Sequence, residues 1–266
     1  MIQVTQLERI PSQMKAITII TATLNSEKHI HGLIDSLAKQ STKDYEWIVA
    51  DGGSTDETVG IILKATMNRI RVRLLQQNDH GIYDALNKAI QVCTTSHYLV
   101  VGSDDRLDHR AVEIFSQHIR LKNADLIVAS IRTNNGKTVR PTKKPAWLHG
   151  HKSFISEHAV GVAIKTSLHD SCGLYSSRFP IAADQLFILR CISNHASIDF
   201  QDFIAGEYNA EDGVSSRDIL GRIMESCRVQ IEMGYGTYLQ LSILLIRILR
   251  NCTRLGKHYS GVSLPK

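Results

Sequence analysis

The sequence of 266 residues predicts an α/β protein: a mostly parallel sheet flanked by helices, with a helical extension at its C-terminal end. Three observations support this fold class. β-Branched segments alternate with amphipathic ones from residue 17 to residue 105, which is the order of a parallel sheet covered by helices. Several of these strands end in short polar segments. From residue 216 onward the pattern is helical, with breaks around Gly234 and Gly236.

The first strand and the first helix have the clearest patterns. Residues 17–21 are β-branched throughout, which is typical of a buried strand. Apolar side chains then recur at i, i+3, i+4 and i+7, at Ile30, Leu33, Ile34 and Leu37, and this spacing predicts an amphipathic helix. The same alternation continues along the chain. It predicts strands at 47–50, 72–75 and 98–101, and helices around 59–63 and at 82–93.

The second half of the chain is less regular. Its pattern predicts strands at 125–131 and 160–164, a helix at 183–194 and a long loop at 133–152. This loop and its ends carry basic side chains with no acid between them. They are Arg132, Lys137, Arg140, Lys143, Lys144 and Lys152.

Composition limits the class of protein and its surroundings. A hydrophobic content of 43% fits a packed globule, and a formal charge of +5 is too small to indicate a nucleic-acid partner. The five cysteines are scattered without metal-ligand spacing, so we expect reduced thiols in a reducing compartment. We find neither a secretory signal nor about 20 continuous apolar residues. The expectation is a cytoplasmic protein that touches a membrane without crossing it.

Three predicted strands end in polar segments, at 22–25, 51–56 and 103–105. In an open parallel sheet, ligands bind beyond the carboxyl ends of the strands. Asp104 and Asp105 follow one such end, and Mg²⁺ is usually held by one or two carboxylates together with substrate phosphates. The pair therefore suggests a metal that bridges to a diphosphate. A turn with helix-capping acids is the alternative, and taken alone it is the better interpretation.

Four blocks in order give the sequence a family resemblance. They are Thr-Ile-Ile-Thr-Ala-Thr-Leu-Asn (18–25), Ile-Val-Ala-Asp-Gly-Gly-Ser-Thr-Asp-Glu-Thr (48–58), Gly-Ile-Tyr-Asp-Ala-Leu-Asn-Lys-Ala (81–89) and Tyr-Leu-Val-Val-Gly-Ser-Asp-Asp (98–105). Together they resemble the family 2 glycosyltransferases of the GT-A fold. The second and third blocks resemble the branch that builds bacterial exopolysaccharide and colanic-acid-type repeat units. Shorter matches at 181–184 and 213–215 extend the resemblance over most of residues 16–236.

The resemblance implies a division of the chain and an activity. A GT-A-like domain would span residues 1–236, with a nucleotide-sugar-binding half at 1–124 and an acceptor-binding half at 125–236. Residues 237–266 would form a C-terminal amphipathic helix and tail. The expected activity is the inverting, metal-dependent transfer of a sugar from a UDP-sugar to a glycan or polyprenyl-diphosphate-linked acceptor. The expected process is the synthesis of a bacterial surface polysaccharide, either exopolysaccharide or lipopolysaccharide.

The resemblance also assigns nucleotide-binding residues in the first half. Thr23 and Asn25 would border the nucleotide cleft, and Asp104 would lie near the ribose. Asp51 resembles the acid that accepts the imide N–H of uracil, a proton that a cytosine ring lacks at that position. For Asp51, a cap on the strand end is the alternative role.

The metal ligand follows from the same resemblance. Asp105 matches the ligand of the family's Asp-X-Asp signature, which binds Mg²⁺ or Mn²⁺. Ser103 replaces the first acid of that signature, so one firm carboxylate is left for the metal.

Asp84 and Asn87 lie three residues apart, on one face of the third predicted helix. Direct contact with the sugar or the nucleotide is one interpretation. The other is an acid at the start of a helix that is stabilised by the helix dipole.

The resemblance places a catalytic residue in the second half. Asp184 would be the general base that takes the proton of the acceptor hydroxyl. Capping of the helix that follows is a compatible structural role. His158 resembles a histidine on the acceptor side, although an uninvolved histidine is the default among 12. Tyr83 and Trp147 are candidates for stacking on sugar or base, with core packing favoured for Tyr83.

Residues 239–257 combine an apolar stripe with positive charge, which is typical of a helix that lies on an anionic membrane. The stripe comprises Leu241, Leu244, Leu245, Ile248 and Leu249, and the cations are Arg247, Arg250, Arg254 and Lys257. Such a helix would suit a lipid-linked acceptor at the inner face of the cytoplasmic membrane. A helix packed on the domain is the alternative. The basic loop 132–152 would guide acceptor phosphates or remain solvated.

Two other functions stay open. A nucleotidyltransferase would need a Gly-rich triphosphate loop with Lys or Arg early in the chain, and residues 22–28 lack one. A degenerate transferase that binds nucleotide-sugars without catalysis is the second alternative.

Overall fold

The structure is a computed structural model that describes residues 3–6, 15–65, 70–76, 79–209 and 218–259. Its strands are β1 (Gln3–Gln6), β2 (Ile17–Thr23), β3 (Tyr45–Asp51), β4 (Val72–Gln76), β5 (His97–Val100), β6 (Arg106–Leu107), β7 (Leu126–Thr133), β8 (Thr138–Val139), β9 (Val162–Lys165) and β10 (Ile198–Tyr208).

The helices alternate with these strands in the first half and dominate the end of the chain. They are α1 (Ile30–Ala38), α2 (Thr58–Ala65), α3 (Ile82–Gln91), α4 (Ala111–Lys122), α5 (Ala146–His149), α6 (Leu168–Cys172), α7 (Ala183–Ser193), α8 (Ile219–Glu232) and α9 (Thr237–Tyr259). Two short 3₁₀ helices span Gly150–Ser153 and Ala159–Gly161.

Within the described residues, the strands form a single sheet in the order β1-β4-β3-β2-β5-β9-β7-β10-β6, with β8 paired to β7. Strands β2, β3, β4 and β5 are parallel neighbours, and β7 and β10 run in the same direction as these four. β9 is antiparallel between β5 and β7. The sheet is therefore mostly parallel, as predicted, and α/β is confirmed as the fold class.

The helices cover both faces of the sheet. On one face α1, α2 and α4 pack over a core that contains Trp47 and Phe115. On the other face α3, α6 and α7 pack around a core that contains Tyr98, Phe179 and, from α7 itself, Phe187. These five rings are almost fully buried, so each contributes a large apolar area to the core.

Several elements differ from the sequence predictions. The predicted loop 133–152 contains β8, α5 and a 3₁₀ helix, and the sequence patterns did not indicate α4 or β10. β10 has a mixed burial pattern along its length, so it lacks the alternation that marks a strand. It forms because β7 on one side and β6 on the other pair with its backbone.

The C-terminal helices are broken where predicted. α8 ends at Glu232, Gly234 adopts a positive φ of 84°, and α9 begins at Thr237. Residues 213–217, which include a predicted family match, lie outside the described residues. The five cysteines are free thiols.

In the part of the chain that the structure describes, no helix combines the length and the apolarity that crossing a bilayer requires.

Candidate active site

The first part of the site lies where β2 and β3 end side by side. Thr23 and Asp51 are register partners, and the N–H of Gly52 donates to the carbonyl of Thr23 at 2.9 Å. The Thr23 hydroxyl oxygen is buried and has no hydrogen-bond partner among the described residues. An unsatisfied buried hydroxyl costs roughly 1–3 kcal/mol, so this group is suited to pair with a ligand.

The Asp51 carboxylate is held by the loop that follows it. Asp51 is almost fully buried, and it accepts hydrogen bonds from the N–H groups of Gly53 at 3.2 Å and Ser54 at 3.0 Å. The Ser54 hydroxyl also donates to it. Asp51 therefore caps the strand end in this structure, which was the alternative role. Its predicted contact with a base stays a prediction.

Asn25 joins two loops at this edge. Its φ is +49°, a left-handed conformation that asparagine tolerates better than most residues. Its side-chain oxygen accepts the N–H of Thr55 at 2.9 Å, and its own N–H donates to the Ser54 hydroxyl at 2.9 Å. The loops after β2 and β3 are thereby tied together, and Thr23, Asn25 and Asp51 lie in one cluster.

Asp105 is the buried acid of the loop after β5. Its side chain accepts the N–H of Gly102 at 2.9 Å, and it lies 3.8 Å from Nδ1 of His158. Burial is the main cause that raises the pKa of Asp105, the nearby His158 ring lowers it when that ring is protonated, and the neighbouring carboxylate of Asp104 raises it further. A bound cation would favour the ionised form of both acids.

The donor set around Asp105 fits a metal shared with a substrate. Among the described residues, no group of three or more His, Cys, Asp and Glu side chains could enclose an ion. The two carboxylates of Asp104 and Asp105 supply the hard oxygen ligands that Mg²⁺ and Mn²⁺ prefer. The residues therefore fit an ion that is completed by phosphate oxygens rather than by a closed protein cage.

His158 lies between Asp105 and the last strand. Its ring stacks on Tyr208 of β10, with centroids 4.5 Å apart and planes 11° from parallel. Its Nδ1 also accepts the N–H of Val160, at 3.4 Å. The structure therefore brings His158 next to Asp105 in the loop after β5. Its acceptor role stays a prediction.

Asp184 lies in the first turn of α7 and accepts a hydrogen bond from α3, a helix in the first half of the chain. Its Oδ1 accepts the hydroxyl of Tyr83 at 2.8 Å and the N–H of Gln185 at 2.8 Å. Burial and the Asp184 charge together hold the pKa of Tyr83 well above its usual value. Tyr83 also packs on Tyr175. The sequence had favoured core packing for Tyr83, and nothing in the spacing could reveal a partner 101 residues away.

A second residue that the sequence patterns did not indicate is Glu225 of α8. It is buried, and Oε2 accepts the N–H groups of Ile181 and Ala182, each at 2.9 Å. These two amides lie just before α7, where the N–H groups of a helix start lack intrahelical partners. Glu225 therefore fixes the turn that carries Asp184.

Asp84 and Asn87 are engaged with protein groups. Asp84 accepts the N–H of His80 and pairs with Lys88 at 2.8 Å, and the hydrogen bond from Lys88 is the main cause that lowers the pKa of Asp84. Asn87 donates to the carbonyl of Tyr175 and accepts its N–H, at 2.8 and 2.9 Å. Their contact with a donor stays a prediction.

Comparison with known proteins identifies relatives of the chain. Residues 18–186 match the family model of glycosyl transferase family 2. A PGL/p-HBAD biosynthesis glycosyltransferase of Mycobacterium tuberculosis is 28% identical over 230 residues, which cover 81% of this chain and 87% of that protein. The poly(ribitol-phosphate) beta-N-acetylglucosaminyltransferase TarS of Staphylococcus aureus is 26% identical over 189 residues, or 68% of this chain and 33% of that one.

Solved structures share the fold. S. aureus TarS 1-349 in complex with UDP-GlcNAc has a TM-score of 0.65 at 21% identity and covers 90% of this chain and 73% of its own. A mannosyltransferase of Pyrobaculum calidifontis, in complex with GDP-Man and Mn²⁺, has a TM-score of 0.65 at 14% identity, with 96% and 78% covered. At these identities the similarity concerns the fold alone, and it confirms the GT-A-like architecture.

His151 should make the stability of the protein depend on pH. Burial is the main cause that lowers the pKa of His151 from 6.5 to about 4, and its Nδ1 has no partner among the described residues. Between these two values the unfolded chain binds a proton that the folded chain does not, so stability falls as the pH falls, by up to about 1.4 kcal/mol per unit.

We expect His151→Asn to reduce this slope in urea unfolding at pH 7.0, 5.5 and 4.5, and the slope that remains comes from other histidines whose pKa is lowered by burial. Ser153→Ala changes a neighbouring buried polar residue without removing a titratable group, so it should keep the wild-type slope. An unchanged slope in His151→Asn would contradict the conclusion that buried, neutral His151 makes stability depend on pH.

Proposed function

This chain belongs to glycosyl transferase family 2, and from that premise we propose that it moves a sugar from a UDP-sugar to a glycan or polyprenyl-diphosphate-linked acceptor. The proposed process is the synthesis of a bacterial surface polysaccharide, and the proposed stereochemistry is inversion. The observation that carries the proposal is the placement of Asp184 and Asp105 at one edge of the sheet. Asp105 follows the carboxyl end of β5, and Asp184 is bonded to Tyr83 at the start of α3, which follows the carboxyl end of β4.

The donor would bind over the ends of β2, β3 and β5. We assign the nucleotide to Thr23, Asn25 and Asp51, with Asp104 near the ribose. Asp84 and Asn87 would border the sugar from the first turns of α3. A TarS structure with UDP and one with UDP-GlcNAc support a uridine donor. The Pyrobaculum structure with GDP-Man is the reason to test other bases as well.

Asp105, with Asp104 beside it, would hold Mg²⁺ or Mn²⁺ together with the donor diphosphate. When bound, such an ion offsets the negative charge that develops on the departing nucleoside diphosphate. Mn²⁺ in the Pyrobaculum structure and in a glucosyl-3-phosphoglycerate synthase of M. tuberculosis supports this assignment.

Asp184 would take the proton of the acceptor hydroxyl. A sugar hydroxyl is a weak nucleophile until its proton is being removed, and a positioned base typically contributes about 10²–10⁴-fold in rate. Tyr83 and the Gln185 N–H both bond to Oδ1, so we assign Oδ2 to the acceptor. Attack from the side opposite the leaving group inverts the anomeric carbon in one step.

The C-terminal helix α9 supports peripheral contact with a membrane. It packs on the protein through buried Gln240 and Ile243, so one face is covered. The opposite face leaves large apolar side chains exposed, with Tyr238 88% and Leu249 61% accessible. Leu241 and Leu245 continue that stripe at helical spacing. Arg250 is exposed one turn after the exposed Ile246, and a helix whose apolar face is flanked by positive charge binds anionic lipid surfaces.

The metal assignment predicts the behaviour of Asp105→Asn. Wild-type protein should gain thermal stability from UDP with Mn²⁺ beyond that from UDP alone, and Asp105→Asn should lose this extra shift, because the amide is a weaker ligand. Asp202→Asn makes the same chemical change at a surface position and should retain it. A metal-dependent shift that survives in Asp105→Asn would place the ion elsewhere.

The base assignment predicts the behaviour of Asp184→Asn. When water replaces the acceptor, the attacking oxygen must also lose a proton to the base, so UDP release from UDP-sugars should fall by about 10²-fold or more in the variant. UDP and Mn²⁺ should still stabilise the variant, since Asp184 is assigned to the acceptor. The measurement is UDP release across a panel of nucleotide-sugars, again with Asp202→Asn as the control. A wild-type rate in Asp184→Asn would exclude it as the base.

The membrane assignment predicts the behaviour of the double variant Leu245→Glu with Leu249→Glu. Burial of each leucine in lipid contributes roughly 1.5–3 kcal/mol, so their loss should weaken flotation with phosphatidylglycerol vesicles by about tenfold or more. Leu121→Glu is the control, because Leu121 of α4 is 80% exposed on another surface. Equal losses in the control, or no binding by wild-type protein, would refute the assignment.

A further inference from the structure

The turn formed by α5 and the 3₁₀ helix after it collects basic side chains from three parts of the chain. Lys152 belongs to the 3₁₀ helix itself. Arg247 of α9 donates to the carbonyl of Leu148 and, at 3.3 Å, to the hydroxyl of Ser226 on α8. Arg222 lies one turn before Ser226 on the same face of α8. Lys152, Arg222 and Arg247 therefore converge on one place.

The charges of these groups act on one another. Burial is the main cause that lowers the pKa of Lys152, Glu157 opposes it, and the positive charges of Arg222, Lys144 and Arg247 lower it further. His149, in the same turn, experiences the charges of Lys144, Arg247 and Lys152. These groups form what we call the cationic cluster: Lys144, Lys152, Arg222 and Arg247.

The cationic cluster has little negative charge to balance it. Lys152 lies 3.8 Å from Glu157, and among the described residues the other three cluster members take part in no ion pair within 4.0 Å. By contrast, Arg140 from the same basic loop pairs with Asp202 at the surface. Arg222 and Arg247 are partly buried and have no ion pair, which is costly for a charged group, so the excess charge points to an anionic ligand.

The cationic cluster borders the acceptor side of the site. Burial is the main cause that raises the pKa of Tyr208, the carboxylates of Glu157 and Asp105 raise it further, and Arg222 lowers it. Glu157 pairs with Lys152, and His158 beside it stacks on Tyr208, so Tyr208 lies between the loop after β5 and the cluster. On its other side, the cluster adjoins His151, which experiences the charge of Asp184. A group bound by Lys152 and Arg222 would therefore lie next to the proposed base.

We propose that the cationic cluster binds the phosphate groups of the acceptor, with Lys152 and Arg222 in direct contact and Lys144 and Arg247 behind them. This inference rests on the proposed function, and it selects an acceptor whose sugar is attached to a phosphate or diphosphate ester. An uncharged glycan would need no such excess of cations. The planar fork of an arginine matches two phosphate oxygens, and a diphosphate carries enough charge to offset several cations.

The test uses farnesyl diphosphate as the probe and farnesol as its uncharged counterpart. Titration calorimetry is done on the full chain with UDP and excess Mn²⁺ already bound, so that the donor site is occupied. We expect the diphosphate to bind at least about tenfold more tightly than the alcohol. Lys152→Met and Arg222→Met should each lower the affinity for farnesyl diphosphate by about tenfold to a hundredfold, which is the range for hydrogen bonds between charged groups. The two residues lie on different elements, so either variant suffices if the other does not fold.

Lys137→Met is the matched control, since it removes one positive charge from an exposed part of the same basic loop. It should bind the diphosphate with wild-type affinity. A loss of affinity equal to that of the cluster variants would mean that nonspecific electrostatic attraction explains the binding. Equal affinity for farnesol and its diphosphate would also overturn the proposal. So would variants that lose only their binding to phosphatidylglycerol vesicles, since the ligand would then be a lipid headgroup.

Binding of UDP and Mn²⁺ is measured first, because it tests the proposed donor site separately from the cationic cluster. Its absence would count against the proposed transferase donor site. Its presence without diphosphate binding would overturn the cationic cluster alone.

Discussion

The parallel register of β2, β3 and β5 is the constraint on which the rest of the structure depends. Thr23 is level with Asp51, and Ile20 is level with Val100, so the loops after these strands leave from one edge. Within the strands the backbone groups are paired in the sheet, and polar side chains can enter only where the pairing ends. This is why Thr23, Asn25 and Asp51 come together with Asp105 although they are far apart in the sequence.

Helix α3 joins the two halves of the protein. Its Tyr83 bonds to Asp184, and its Asn87 holds the backbone of Tyr175 by two hydrogen bonds. Glu225 of α8 supports the same region from the other side by accepting two N–H groups ahead of α7. The candidate base is thus held by side chains from two separate helices, and buried groups satisfied in this way keep one orientation.

The net charge of +5 conceals a separation of charge. Carboxylates gather after the end of β5, where they suit a cation, and the cationic cluster lies around α5 and the 3₁₀ helix that follows it, where it suits an anion. The basic loop seen in the sequence is not one surface. Arg140 pairs with Asp202 at the surface, whereas Lys152 pairs with Glu157 and also lies near Arg222 and Arg247 of distant helices. Only tertiary packing decides that these two residues of one basic loop have different surroundings.

The sequence by itself determined the fold class, the strands that lead to Thr23, Asp51 and Asp105, the start of α7 and the break between α8 and α9. These features rest on local patterns, namely β-branched runs, helical spacing and glycine, which act over a few residues. The tertiary structure alone decided the roles of Tyr83 and Glu225, the pairing that makes β10 a strand, and the face of α9 that stays exposed. Each of these depends on a partner tens of residues away, and local periodicity carries no information about such a partner.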